Sequence, residues 1–144
     1  MKKLLIIILL LFIIIIFSVY GLFINTKSQR NILKNYNSEY ERYLNKTING
    51  AELATLINKV VNENEKNGVN KDSRNYYIDN AENSIKIEIT ISVTEKKYPM
   101  EEIYNNDTAE FVKYFTLFNF KCTNIEYHKK TGKISKMYFE QSNN

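Results

Sequence analysis

The longest hydrophobic pattern in the chain is an uninterrupted apolar segment over residues 4–24, LLIIILLLFIIIIFSVYGLFI, which contains no charged side chain. A helix rises about 1.5 Å per residue, so this segment would be roughly 31 Å long, close to the thickness of the hydrocarbon core of a bilayer. No later apolar segment approaches this length. The pattern therefore predicts an N-terminal transmembrane helix over residues 1–24, followed by a polar, water-exposed domain.

A helical pattern continues beyond the apolar segment. Apolar residues recur at spacings of three and four, as on one face of a helix: Ile32, Leu33, Tyr36, Tyr40, Tyr43 and Leu44. We expect a helical stalk over residues 25–45, with a break near Asn25 to Ser28, followed by a turn over Asn45 to Gly50 (NKTING). The tyrosine-rich face is expected to pack on the domain, and contact with a partner is the alternative.

The segment from Gly50 to Lys66 has the pattern of an amphipathic helix. Its apolar residues form one stripe: Leu53, Leu56, Ile57, Val60 and Val61. Asn49 is a favourable N-cap, and Glu52 stands at the third helical position, where it completes a capping box. Asn67 and Gly68 predict the end of the helix, because glycine tolerates the left-handed conformation common there.

Strict alternation of apolar and polar residues marks a β-strand over residues 84–93. The apolar positions are Ile85, Ile87, Ile89, Ile91 and Val93. A period of two places these side chains on one buried face and leaves the other face wet, which favours an antiparallel sheet covered on one side. A short strand at Tyr76 to Ile78 and a turn over Asn80 to Asn83 are expected before it.

The C-terminal third predicts one further helix and a hairpin. Pro99 should end the preceding strand region, and Met100 to Tyr104 should pair briefly with the sheet. Asp107 and Glu110 predict the start of a helix. Its aromatic face comprises Phe111, Tyr114, Phe115 and Phe118.

Two strands, Phe120 to His128 and Lys133 to Glu140, flank a loop in which Gly132 fits the left-handed position. The order of elements therefore predicts an α+β fold: an N-terminal transmembrane helix followed by helices packed on a small antiparallel sheet of about four strands. We expect a single extracytoplasmic α+β domain over residues 46–144.

Charge and cysteine content narrow the function classes. The formal net charge is +4, and +2 remains when Lys2 and Lys3 are set aside with the apolar segment, so the charge is too weak and too scattered to predict nucleic-acid binding. Cys122 is the single cysteine, which excludes an intramolecular disulfide. No cysteine ends the apolar segment, which excludes a lipoprotein anchor.

The charges around the apolar segment predict its orientation. Lys2 and Lys3 precede it, which favours a cytoplasmic N-terminus, whereas Lys27, Arg30 and Lys34 follow it and partly cancel this bias. We expect a single-pass protein of the cell membrane with residues 25–144 outside the cytoplasm. The apolar segment is longer than the ~7–15 residues of a secretory core, so we expect a retained signal-anchor, with cleavage after Gly21 as the alternative.

Candidate chemistry is sparse. Cys122 and His128 would lie about 20 Å apart on one extended strand, too far for a nucleophile and its base. Glu126 and His128 share a predicted face but supply only two ligands for a metal. We therefore expect no enzyme, no catalytic residues, no cofactor and no metal, with Cys122 in the core and His128 a polar residue at a hairpin end.

The predicted hairpin carries a local excess of positive charge. Its lysines outnumber its glutamates and stand beside aromatic residues: Lys121, Lys129, Lys130, Lys133 and Lys136 against Glu126 and Glu140, with Tyr127, Tyr138 and Phe139. Candidate partner contacts are Lys129, Lys130, Lys133 and Tyr127, for an anionic wall polymer, lipid headgroups or an acidic protein. We favour the alternative of a solvated sheet edge, on which lysines prevent strand-to-strand aggregation.

Three segments carry a resemblance. INGAELATLINKVVNENEKN at Ile48 to Asn67, FKCTNIEYHKKTGKI at Phe120 to Ile134 and the SIKIEI strand resemble small, single-anchor, uncharacterised membrane proteins of low-GC Gram-positive bacteria. The resemblance covers most of Tyr36 to Gln141 and implies a cell-envelope setting without implying an activity. The general plan also resembles that of a type IV pilin or pseudopilin, although the Gly cleavage site and the Glu early in the apolar segment of pilins are absent.

These observations favour a membrane-anchored extracytoplasmic binding or structural module of the cell envelope. Its expected partners are the lipid bilayer, through residues 4–24, and a protein or envelope polymer. The alternative is a minor pilin-like subunit of a secretion or filament apparatus.

Overall fold

The structure is a computed structural model that describes residues 2–92 and 95–142. Contacts divide the chain into two compact units, Met1–Tyr36 and Asn37–Asn144. The elements in chain order are α1 (Lys2–Glu41), β1 (Thr47–Asn49), α2 (Gly50–Lys66), β2 (Lys86–Ile91), β3 (Lys96–Pro99), α3 (Met100–Asn105), α4 (Thr108–Phe115), β4 (Asn119–Tyr127) and β5 (Ile134–Ser142).

The first unit belongs to helix α1, which confirms the predicted N-terminal helix. The side chains from Ile6 to Ile24 are all exposed. Over Ile6–Glu41 the helix is long and apolar enough to cross a membrane. The break expected near Asn25 to Ser28 is wrong, because the helix runs through these residues without a Pro or Gly to interrupt it.

The second unit contains a five-stranded sheet in the order β1-β4-β5-β2-β3. β1 pairs with β4, β4 with β5 and β2 with β3, all antiparallel. β2 and β5 are parallel, since the chain returns through α3, α4 and β4 before β5 joins β2. The α+β class is confirmed, with one strand more than expected and with this one parallel pair.

The core of this unit is built from the patterns that the sequence displays. The α2 stripe of Leu53 to Val61 is buried, as are the four isoleucines of residues 85–91. Val93, the last position of the alternating pattern, lies outside the described residues. Tyr40, in the last turn of α1, and Tyr43, just after the helix, are both buried, which confirms that they pack on the domain as expected. Leu44 is exposed.

Both predicted caps of α2 are present. The side chain of Asn49 accepts a hydrogen bond from the Glu52 N–H at 2.9 Å, and Gly68 after the helix has a φ of 64°. Gly50 is also required at the helix start, because a Cβ there would overlap the backbone oxygen of Phe115. This close approach allows the beginning of α2 to pack against α4.

Three local expectations are wrong. Residues 47–49 form strand β1 rather than part of a turn, because Ile48 is buried and pairs with Phe120. Tyr76 to Ile78 is not a strand, since the Tyr77 N–H donates to the Glu101 carboxylate instead of to a neighbouring strand. Met100–Asn105 forms helix α3 rather than pairing with the sheet.

Candidate functional site

The loop between β4 and β5 carries the lysines that the sequence singled out. We call Tyr127–Lys133 the basic tip. The sheet order places β4 between β1 and β5, and β5 between β4 and β2, so neither strand is an edge of the sheet. The alternative that these lysines guard a sheet edge is therefore wrong, and the edge strand β3 instead carries Lys96, Lys97 and Pro99.

Buried polar side chains hold the basic tip in one conformation. The Asn37 amide donates to the Gly132 carbonyl at 2.8 Å and accepts from the Ile134 N–H at 3.2 Å. The His128 Nε2–H donates to the Ser84 carbonyl at 2.7 Å. Gly132 has a φ of 70°, as expected for its loop position. The backbone of the tip is therefore fixed by partners on both sides.

The structure brings the three predicted lysines together on this loop, in different environments. Lys130 forms an ion pair with Glu82, whose carboxylate accepts its hydrogen bond and has a lowered pKa as a result. Lys129 is exposed and has no ion-pair partner within residues 2–92 and 95–142. Lys133 is half-buried. Lys129 thus combines an exposed side chain with the absence of a described ion-pair partner.

The aromatic residues near the tip differ in their exposure, since Tyr127 is exposed and Phe139 is buried. The Tyr127 hydroxyl donates to Glu41 Oε1 at 2.9 Å, and burial followed by this carboxylate raises the pKa of Tyr127. Tyr138 donates to Glu126 Oε1 at 2.9 Å. Phe139 is completely buried in the core, so it is unavailable to a partner.

Cys122, Glu126 and His128 do not share one face of β4. Register shifts occur between Cys122 and Asn124 and between Glu126 and Tyr127, and each one interrupts the alternation of side chains. Glu126 is exposed and His128 is buried, so these two residues do not share the face that strict alternation had predicted for them. Burial raises the pKa of the Cys122 thiol to about 11. In the described part of the chain, no three His, Cys, Asp or Glu side chains come together as metal ligands would.

A second candidate surface, which the sequence did not reveal, is a groove bounded by β3, α3 and α4. We call it the acidic groove. It has a volume of about 210 Å³. Its lining consists of Ile91, Tyr98, Glu102, Ile103, Asn106, Asp107, Glu110, Phe111, Tyr114 and Phe115. Ile91, Ile103 and Phe111 are buried and form an apolar floor.

Three carboxylates surround this floor. Glu102 lies 3.7 Å from the ammonium of Lys96. Asp107 caps α4, as predicted, and accepts a hydrogen bond from the Ala109 N–H at 2.9 Å. Glu110 is exposed and has no ion-pair partner in the described ranges. Among the described residues, the lining includes three carboxylates and no lysine or arginine, so the charge of the described lining is negative.

The aromatic face predicted for α4 is only partly buried. Phe111 is buried and stacks on Phe115, with ring centroids 4.8 Å apart. Tyr114, within α4, and Phe118, beyond the end of α4 at Phe115, are both exposed. The exposed ring of Tyr114 thereby becomes a wall of the acidic groove.

One buried ion pair lies outside both surfaces. Lys86 donates to Glu101 Oε1 at 2.8 Å, and the Tyr77 N–H donates to the same oxygen at 3.2 Å. The Glu101 side chain is 2% exposed. This carboxylate therefore joins α3 to β2 and to the loop that precedes it, which is a structural task.

Comparisons of the chain with models of protein families, with curated proteins and with solved structures found no match. The geometry of the domain offers two surfaces of opposite charge. One is a preformed basic loop, and the other is an apolar groove with an acidic rim. Within residues 2–92 and 95–142, neither surface brings a nucleophile, a base and an orienting group together.

Proposed function

We propose that the protein is a membrane-anchored binding or structural module of the cell envelope, with residues 4–24 in the bilayer and the α+β domain on the extracytoplasmic side. The observation that carries the proposal is the exposure of every side chain from Ile6 to Ile24 on a continuous helix. Transfer of a large apolar side chain out of water is worth about 1.5–3 kcal/mol. A helix with apolar side chains on all sides is therefore most stable in lipid.

The surfaces of the domain support a binding role. The basic tip presents lysines on a backbone held by Asn37 and His128. The acidic groove presents an apolar floor and carboxylates at a distant position of the same sheet. Preformed surfaces of this kind lose little conformational entropy when a partner binds.

Fractionation of the native membranes tests the proposal directly. We expect the full chain to stay in the membrane fraction after a carbonate wash, to be released by detergent and to have an intact mass of 17.0 kDa. Protease added outside intact cells should degrade the domain. Recovery of the full chain in the soluble fraction without detergent would contradict the proposal. A shortened chain lacking the apolar segment would instead identify a cleaved signal sequence.

A minor pilin-like subunit is the second candidate function. The favouring observation is that α1 continues unbroken from its apolar part to Glu41 and ends beside a largely antiparallel sheet, with Tyr40 buried in the domain. Lys2 and Lys3 stand where pilins carry their glycine cleavage site. Removal of a short leader before the apolar segment, detected by intact mass, would favour this candidate over a retained anchor.

A further inference from the structure

We infer that the basic tip of one copy of this chain docks in the acidic groove of a second copy, in a head-to-tail contact with Lys129 as the central side chain. The inference rests on the proposed binding role of the domain, whose partner it names. Its support comes from where the two surfaces lie, from the size and chemistry of the groove, and from the charges on each side.

The two surfaces lie at opposite ends of β2. The tip contacts residues just before this strand: His128 bonds to Ser84, and Thr131 donates to the Glu82 carbonyl at 2.8 Å. The groove instead includes Ile91, the last residue of the strand. Five steps of about 3.3 Å separate Lys86 from Ile91, which gives roughly 17 Å. The clamped tip therefore cannot enter the groove of its own molecule, so a groove of this kind that receives it belongs to another copy.

The groove has the size and chemistry to receive one lysine side chain. Its volume of about 210 Å³ is below the ~300–1,000 Å³ of typical small-molecule pockets. The buried Ile103 and Phe111 offer an apolar surface to the four methylenes of a lysine, and Glu110 offers a carboxylate to its ammonium. The rim already accommodates one lysine in this way. Lys96 lies 4.4 Å from the centroid of the Tyr98 ring and 3.7 Å from Glu102.

The tip presents a suitable side chain without rearrangement. Lys129 is exposed at the loop, and the loop backbone is held by the bonds of Asn37 and His128. Restricting the free loop in this way lowers the entropic cost of docking.

The charges of the two surfaces are complementary. Around the groove, the described residues include three carboxylates, Glu102, Asp107 and Glu110, and two lysines, Lys96 beside Glu102 and Lys113 over the Tyr114 ring. Among the described residues, the tip carries three lysines, Lys129, Lys130 and Lys133, and contacts two carboxylates, those of Glu82 and Glu41. Such complementarity selects a partner and suppresses contacts between like surfaces, so tip-to-tip and groove-to-groove dimers are disfavoured.

The contact is heterologous, because two different patches meet. Each bound copy keeps one free tip or one free groove, so repeated contacts form either a closed ring or an open row. Anchoring of the copies in one membrane raises their effective concentration, which allows a contact of modest affinity to assemble them.

Exchanging the charges of Glu110 and Lys129 tests the contact. Self-association of the full chain is measured by sedimentation in detergent micelles. We expect Glu110→Lys alone and Lys129→Glu alone to weaken self-association on the order of tenfold each, because each places like charges opposite one another. The two single variants mixed together should associate, since the lysine introduced into the groove of one then meets the glutamate introduced into the tip of the other. The double variant should also recover self-association.

Matched controls separate this effect from general charge. Glu52 is exposed and occupies the third position of α2, as Glu110 does in α4. Glu52→Lys and Lys46→Glu should both leave association unchanged. Unfolding midpoints of all variants should stay close to that of the wild type, and Lys129→Glu alters an exposed loop residue that no described ion pair requires.

Zero-length carbodiimide cross-linking of mixed ¹⁴N and ¹⁵N copies identifies the geometry. We expect a mixed-isotope cross-link that joins the peptides containing residues 110 and 129. A chain that stays monomeric at about 1 mM, a typical effective concentration for tethered partners, would overturn the inference. Association that is unaffected by either charge reversal would overturn it as well. Neither result bears on membrane retention, which fractionation measures separately.

Discussion

Two segments of this protein are rich in isoleucine and meet opposite environments. Residues 4–24 are apolar on every side of a helix, and the side chains from Ile6 to Ile24 are exposed. Residues 85–91 alternate isoleucine with polar residues in and beside β2, and their isoleucines are buried. Both segments are rich in apolar residues, so the spacing of these residues along the chain determines whether they are buried inside the domain. A period of two gives a strand one apolar face, which can be buried, and one polar face, which can be solvated. The helix is apolar on all sides and has no polar face to expose to water.

The largest expected effect tests the lipid environment of the first segment. Replacing Ile13, Ile14 and Ile15 together by Asp costs about 10 kcal/mol of membrane insertion, which cancels the ~5–10 kcal/mol that the whole segment contributes. We expect the variant to leave the membrane fraction. The melting of the domain should change by less than about 0.5 kcal/mol. Leu at the same three positions is the control and should stay in the membrane, and a destabilised domain in the Asp variant would show that this segment packs on it.

Ile89→Asp tests the buried face of β2. Ile89 is fully buried, and an unpaired charge at this position is expected to cost more than about 5 kcal/mol, comparable to the total stability of a small domain. The full chain in detergent should lose its cooperative melt in near-ultraviolet circular dichroism. Thr90→Asp, on the other face of the same strand, should cost only about 1 kcal/mol. A native melt for Ile89→Asp would contradict the strand assignment.

Lys86→Met tests whether the polar face of β2 is solvent-exposed along its whole length. Lys86 is the partner of Glu101, and its removal leaves a buried carboxylate without its cation, which costs about 3–5 kcal/mol. Lys97→Met removes the exposed partner of Glu88 and should cost less than about 1 kcal/mol. Denaturant unfolding of both variants measures the difference. Equal losses would mean that the Lys86–Glu101 pair is as solvated as the pair at the sheet edge.

The smallest effect concerns pH and the same polar face. The hydrogen bond from Lys136, followed by that from Lys97, holds the pKa of Glu88 below its ordinary value of 4.5. Stability from the ionised carboxylate is therefore present above pH 4.5 and is lost as the pH falls through the lower folded value. Glu88→Gln should lower the free energy of unfolding by about 1 kcal/mol at neutral pH and reduce its decline below pH 4.5. Parallel pH profiles for the wild type and the variant would contradict this assignment.

The sequence was sufficient for elements whose signals are local. The bounds of α2 follow from Asn49, the apolar stripe and Gly68, and the course of β2 follows from its alternation. The hairpin loop around Gly132 and the cap at Asp107 were predicted for the same reason. In each case neighbouring residues in the chain provide both partners of the interaction, so the pattern contains the necessary information.

Elements that depend on partners far along the chain could not be predicted from local sequence patterns. β1 is three residues long and exists because Ile48 lies beside Phe120 in β4, far along the chain. The bulges of β4 separate Glu126 from His128, which strict alternation had placed together. The parallel pairing of β2 with β5 likewise depends on the path of the chain through two helices.

By itself, the sequence determined the N-terminal helix, the α+β class and the residues of the basic tip, because the period, the caps and the turn residues are properties of adjacent positions. Only the tertiary structure decided that this tip is held by Asn37 and Ser84, and that Ile91, Glu102 and Glu110 meet in one groove. Four separate elements, β2, β3, α3 and α4, contribute to that groove, so its apolar floor and acidic rim form only when sheet and helices pack together.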